Sequence, residues 1–373
     1  MIPGTRRFGA AFDHWLFERP DPRVCSLLRI GFAILLSVYL VMWWREAERW
    51  FSDAGVLRAE TMREASELIY PSLLWWLPND PLTIHICLAI CLGQTLLLGL
   101  GVASRWQAAC IFVWLVSFQH RNMIICDGQD VLIRLLSFYL IFMPLDYAWS
   151  LGRWWRQAAS GTANLTCFCS GRARALRSVA EISDYRAARA APLPKNNDIG
   201  IKASGIAPPP PSAWGLRLVQ LQVTAIYLST AWEKFQGVTW RDGTALFYVA
   251  RMDDLYGRFG LPEMLFETPW ILHSMTWGVL ALEAALPLLL WWRPTRWLGV
   301  LAAASLHLAI EATMNIYLFE WLMLLCLVAF VDPRWLSGRR LKGRGLAGWL
   351  ACGSRRREGP EGSRPAAFNC KWH

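Results

Sequence analysis

Charge is what this chain has least of. Lysine, arginine, aspartate and glutamate make up only 18% of 373 residues, while 55% are hydrophobic. Soluble domains carry about a quarter of their residues as charges, so a water-coated globule is excluded. Alternating ten-residue apolar strands are also missing, which excludes a transmembrane β-barrel. The ten cysteines include no pair at zinc-finger spacing. Cys167 and Cys169 form a lone C-x-C in a basic segment and read as a reduced pair without function, and only Cys126 falls on the face opposite the termini. No metal site and no disulfide framework is predicted. The first apolar run is followed by Trp43 and Trp44 instead of a small-residue cleavage site, so it is expected to stay in the protein as a helix.

What the chain has is apolar length. About 20 apolar residues carry a helix across a bilayer. Residues 24–44, 82–101, 104–119, 130–149, 213–232, 271–292, 297–313 and 316–332 are such runs. The predicted fold is therefore all-α, a polytopic membrane helical bundle of about eight transmembrane helices. Tryptophans bunch at the run ends (Trp43–Trp44, Trp75–Trp76, Trp154–Trp155, Trp291–Trp292), as an interfacial aromatic belt requires. The net charge is +10. With the N-terminus placed in the cytoplasm, 26 lysines and arginines fall on that side and nine on the other. That asymmetry predicts an N-in, C-in multi-pass protein, in the cytoplasmic membrane if the source is bacterial. The basic excess then reads as orientation and contact with anionic membrane lipids, not nucleic acid.

Residues 1–151 read as a first half of four spans and 213–337 as a second. Between them, 152–212 is a basic, proline-rich cytoplasmic linker, and 338–373 is a basic tail; both have the composition of disordered chain. Apolar residues at i, i+3, i+4 and i+7 spacing predict an amphipathic surface helix over 245–259, and a weaker one over 57–69.

A charge inside a span costs about 2.5–3.5 kcal/mol and needs a partner. Four groups on the outer side stand out. The connection after the third run carries His120, Arg121, Asn122, Asp127 and Asp130, with Asp130 and Arg134 spaced to pair on a helix face. The fifth run ends at Trp232 and is followed at once by Glu233 and Lys234, then by Trp240 and Asp242. The seventh carries His307 and Glu311, with Asn315 beyond. Glu283 lies deeper in the sixth and is expected to be neutral and hydrogen-bonded. A lysine at a helix end commonly snorkels to the headgroups, and a buried histidine is commonly a satisfied core residue. Four groups on one side argue instead for a shared pocket. There Lys234, if desolvated, would serve as a general base with His307 as proton shuttle. His120, Arg121, Asn122, Asp127, Asp130, Trp240, Asp242, Glu311 and Asn315 would shape the substrate site.

Three stretches carry a resemblance: "YLSTAWEKFQGVTWRDGTALFY", "RNMIICDGQDVLIRLLSFYLIFMPLDYAWSL" and "HLAIEATMNIYLFEWLMLLCLVAFVDP". They resemble the HTTM (horizontally transferred transmembrane domain) family, which is similar to the membrane part of vitamin K-dependent gamma-glutamyl carboxylase. The resemblance spans about residues 10–335. It implies a lysine base at Lys234 and a late-helix histidine at His307. The carboxylase's histidine ahead of the fourth span has Gln129 near its place here. It further implies reduced vitamin K or menaquinol and O2 as reactants, and CO2 if carboxylation is coupled. Quinol oxygenation is the reaction expected; the alternative is a non-enzymatic carrier or a structural partner of an envelope complex, with the protein partner unknown.

Overall fold

A computed structural model describes Trp15 and residues 20–65, 70–159, 214–252 and 262–332. Those residues belong to one compact unit and contain helices and no β-strand. The predicted tail, and the predicted linker beyond residue 159, lie outside the described residues. The linker's first residues do not: Leu151–Ala159 is helical.

In chain order the helices are α1 Pro22–Arg45, α2 Ala47–Phe51, α3 Ala59–Ala65, α4 Pro81–Leu100, α5 Ser104–Arg121, α6 Gly128–Ile141, α7 Leu151–Ala159, α8 Trp214–Gln236, α9 Val238–Arg241, α10 Ala245–Val249, α11 Met264–Glu267, α12 Pro269–Trp291, α13 Arg296–Thr313 and α14 Phe319–Leu327. Each of the eight apolar runs holds one helix. By length and composition three of them, α1, α4 and α12, are long and apolar enough to cross a membrane.

Local chemistry sets the helix starts. Asp21 caps α1, accepting from the Arg23 N–H at 2.8 Å, and Pro22 supplies a first-turn residue with no N–H to satisfy. Asp80 and Pro81 repeat the device on α4, where the Asp80 carboxylate accepts from the N–H and hydroxyl of Thr83. Those two bonds hold the Asp80 carboxyl below its usual range.

Within the first half, α1 packs on α4, α4 on α5 and α5 on α6. In the second, α8 packs on α12, α12 on α13 and α13 on α14. The halves meet where α8 and α14 contact α6 and α14 contacts α1.

The fourth run departs from expectation. Its helix stops at Ile141, well before residue 149, because Pro144 has no N–H to continue it, and the chain after that proline is held by side chains of α1. Arg29, fully buried, donates to the Leu145 carbonyl at 2.8 Å and the Trp149 carbonyl at 2.6 Å. Ser26 donates to the Ala148 carbonyl at 2.7 Å. Gly101 makes room for this clamp: it ends α4 at φ 76°, and a Cβ there would lie 2.3 Å from an Arg29 nitrogen. Trp43, expected in the interfacial belt, is buried beside Tyr39, Phe51 and Phe118, whereas Trp76, Trp155 and Trp292 are exposed. Of the amphipathic stretch 245–259, Ala245–Val249 is helical, and 253–259 lies outside the described residues.

Candidate functional site

Lys234 does not sit at a lip. Helix α8 ends two residues later at Gln236, but the chain hooks back along α12. The Trp277 indole donates to the Arg241 carbonyl at 3.1 Å. Gly243, at φ 77°, lies against the His273 ring. Lys234 Nζ meets Glu283 Oε1 at 2.5 Å, with side-chain exposures of 24% and 7%. At 1.5 Å per residue, Glu283 is about 21 Å from the start of α12 and about 12 Å from its end. The pair is thus well inside the helix length. The amine points at a carboxylate and lies 4.9 Å from the Trp240 ring centroid, a cation–π geometry. The amine is thus paired with a carboxylate instead of being free, and Glu283 is hydrogen-bonded as expected, with Lys234 as its partner.

Two further acceptors surround this pair. Glu283 Oε2 is buried and finds no partner among the described residues. The Glu283 main-chain carbonyl also loses its helical partner, because the residue four positions on is Pro287, inside α12 and without an N–H.

A second buried group lies beside the first. The Tyr227 hydroxyl is 2.7 Å from His307 Nε2, and His307 Nδ1 bonds Glu320. Tyr227, His307 and Glu320 are all buried. With Glu320 ionised, Nδ1 carries the proton and Nε2 accepts from the phenol. Tyr227 and Lys234 are two turns apart on one face of α8, about 10 Å along its axis. The phenol lies within electrostatic reach of both Glu283 and Glu320. Gly299 explains why the pairs share a layer. A Cβ there would lie 3.0 Å from the α12 backbone at Leu289 and Leu290, and Glu283 and His307 stand about 10–12 Å beyond that crossing on their helices.

Outside this layer an apolar groove of about 370 Å³ opens between α8 and α12. It is walled by Leu228, Trp232 and Phe235 on one side and Trp277, Leu280 and Ala281 on the other. Ala231, one turn before Lys234, and Ala284, next to Glu283, complete it.

The loop residues expected here serve the first half instead. Arg121, fully buried, donates to Asp53 at 3.0 Å, Asn79 at 3.2 Å and the Leu57 carbonyl at 3.0 Å. Asn122 donates to the Trp50 carbonyl at 2.9 Å, and His120 pairs with the Pro71 carbonyl at 2.8 Å. Asp127 and Asp130 form a capping box that starts α6. The Asp130 carboxylate accepts from the Asp127 N–H at 2.8 Å, and no ion pair joins it to Arg134 among the described residues. Burial pushes the nearby Cys126 thiol up to about 11, which fits a packed loop. Where this loop meets the second half it does so through Gln129, which accepts from the Leu318 N–H at 3.1 Å.

Of the remaining expected residues, Trp240 joins Lys234. Glu311 is buried one turn beyond His307. Asp242 and Asn315 are exposed. Sequence reasoning missed Tyr227 and Glu320. The seven-residue spacing of Tyr227 and Lys234 was a usable signal, as was the acid at the head of the last apolar run.

Residues 203–335 match the family model of the HTTM domain. The matched stretch contains Tyr227, Lys234, Glu283, His307 and Glu320. No curated protein and no solved structure matches the chain. The HTTM match and the three long apolar helices make this an integral membrane protein.

Proposed function

We propose that the chain is a multi-pass membrane enzyme of about eight spans, both termini cytoplasmic, that acts on a lipid-soluble quinol with dioxygen as co-substrate. Lys234 is its proton acceptor. The observation that carries this reading is one juxtaposition. A lysine–glutamate pair, deep along α12 and under an indole ring, lies beside an apolar groove that opens sideways between two helices. Quinol chemistry fits those residues. The ring system suits the apolar walls and the Trp240 face, and a hydroxyl suits the amine and the unpartnered Glu283 oxygen.

In this reading the residues divide the work. The groove admits an apolar substrate from the bilayer without exposing the pair to bulk water. Lys234 Nζ takes the hydroxyl proton once its own proton has moved to Glu283 Oε1, which leaves the pair with one extra proton and a net charge of +1 that must be released before the next turnover. Trp240 holds the amine in place between turnovers. The quinol supplies the oxidisable ring when bound; the protein supplies the base and the dry site.

The test is turnover of reduced naphthoquinone under oxygen in membranes containing the protein, with mass spectrometry for the epoxide. Wild type makes product, and Lys234→Ala inserts normally and makes none. Full turnover by Lys234→Ala ends this assignment.

The same ion pair supports a second reading, a non-enzymatic carrier or structural partner, because intramembrane charges pair for stability alone. Lys234→Arg separates the two. Arginine keeps the pair but holds its proton, so a carrier survives the change and a lysine-base enzyme does not.

A further inference from the structure

Resting on the lysine-base reading, we propose that Tyr227, His307 and Glu320 form a buried relay that stores the proton released at the Lys234–Glu283 pair. The three residues come from α8, α13 and the first turns of α14. They meet only through the fold, and each is almost fully buried.

The hydrogen-bond order gives the direction. Glu320 fixes the Nδ1–H tautomer of His307, so Nε2 is the acceptor and the Tyr227 O–H donates to it. The phenol proton therefore points at His307. The phenol oxygen keeps its lone pairs for a second donor. A proton arriving at the Tyr227 oxygen lets the phenol proton pass to Nε2. His307 becomes imidazolium facing the Glu320 carboxylate. One proton has then moved from the lysine layer to the imidazole, no electrons have moved, and no bond to carbon has changed. The return path is the reverse.

A passive packing motif would not need this arrangement. Tyr227 shares a face of α8 with Lys234, and Glu283 lies within electrostatic reach of the phenol. The ionisable groups acting on Tyr227 are His307 from α13, bonded to it, and through their charge Glu283 from α12 and Glu320 and Cys326 from α14. Glu311 lies one turn along α13 from His307. The two acids nearest the ends of the chain, Glu283 and Glu320, are each already bonded to a base, Lys234 and His307. The layer thus holds two acid–base pairs, with the Tyr227 hydroxyl bonded to one of them. Tyr227, His307 and Glu320 are positioning residues here, since the substrate-facing atom is the lysine nitrogen.

The experiment uses the full chain in lipid nanodiscs with ¹⁵N-labelled histidine, and His307→Gln to assign the His307 signals. Ring-nitrogen shifts report tautomer and protonation without substrate, so the outcome does not depend on the lysine-base reading. Wild type is expected to show a single Nδ1–H tautomer. Glu320→Gln loses it, Tyr227→Phe keeps it but moves the Nε2 resonance, and Glu283→Gln also moves Nε2. All three substitutions preserve shape, and Glu320→Asp serves as a second variant that restores the tautomer. If His307 is insensitive to Glu320→Gln and Tyr227→Phe, the relay is overturned. If it responds to those but not to Glu283→Gln, the triad is an isolated structural knot and the link to the lysine pair is overturned. In the turnover assay, Tyr227→Phe is expected to lower kcat about tenfold or more with KM unchanged. A wild-type chain that makes no product while passing the resonance test would fail the quinol reading alone.

Discussion

The two halves of this bundle both bury charge, and they do it in opposite ways. In the first half the buried cations are arginines that spend their donors on main-chain carbonyls and on side chains of connecting segments. Arg29 holds the chain after α6, and Arg121 holds the segments before α4. Such bonds have fixed partners and no proton to exchange, because arginine does not give one up. In the second half the bonds run side chain to side chain between groups that trade protons: amine to carboxylate, phenol to imidazole, imidazole to carboxylate. The first half's bonds can only hold; those of the second half join groups that are also able to pass a proton, which is what the proposed function uses.

The strongest way to break that contrast is Lys234→Ala. Turnover of reduced quinol per folded molecule should fall by about 10²–10⁴-fold, the range for loss of a general base, beyond the drop in thermal midpoint that leaving Glu283 unpaired causes. Next, Arg29→Ala or Arg121→Ala should cost about 2–5 kcal/mol of stability, since buried carbonyls or an aspartate lose their donors. Thermal unfolding in detergent reads this, and turnover per folded molecule should hold. A large catalytic loss at constant fold in an arginine variant would erase the distinction between the halves.

Trp240→Leu is a smaller sharpening. It removes a contact worth about 0.5–2 kcal/mol and should raise KM more than it lowers kcat. The smallest effect belongs to Asp130→Asn. It weakens one side of the capping box at about 0.5–1 kcal/mol and should leave turnover untouched.

The helices were readable because an apolar run of bilayer length has few other fates. The early stop of α6 was legible in Pro144, which ends a helix near the residue before it; the clamp by Arg29 beyond it was not, because Arg29 lies more than a hundred residues away in the chain. Trp240 was found beside Lys234 because six residues separate them. The partner Glu283 was noticed as an intramembrane acid but not as the lysine's partner, since that bond joins helices whose register no sequence pattern fixes. The loop acids misled for a related reason. Asp127 and Asp130 look like a substrate site by type and side of the membrane, yet their spacing of three is also that of a capping box, and the helix start claimed them first.

Pro287 has a mechanical meaning as well as a chemical one. With one rung missing from its ladder at Glu283, α12 is weakest just below the lysine contact, so the longer arm toward Pro269 behaves as a lever with its pivot there. That arm is about 21 Å long, and a swing of about 10° would carry its tip roughly 4 Å. Because the arm also carries Trp277 and Leu280, the same swing would set how wide the sideways entrance stands, with the carboxylate staying near the still point.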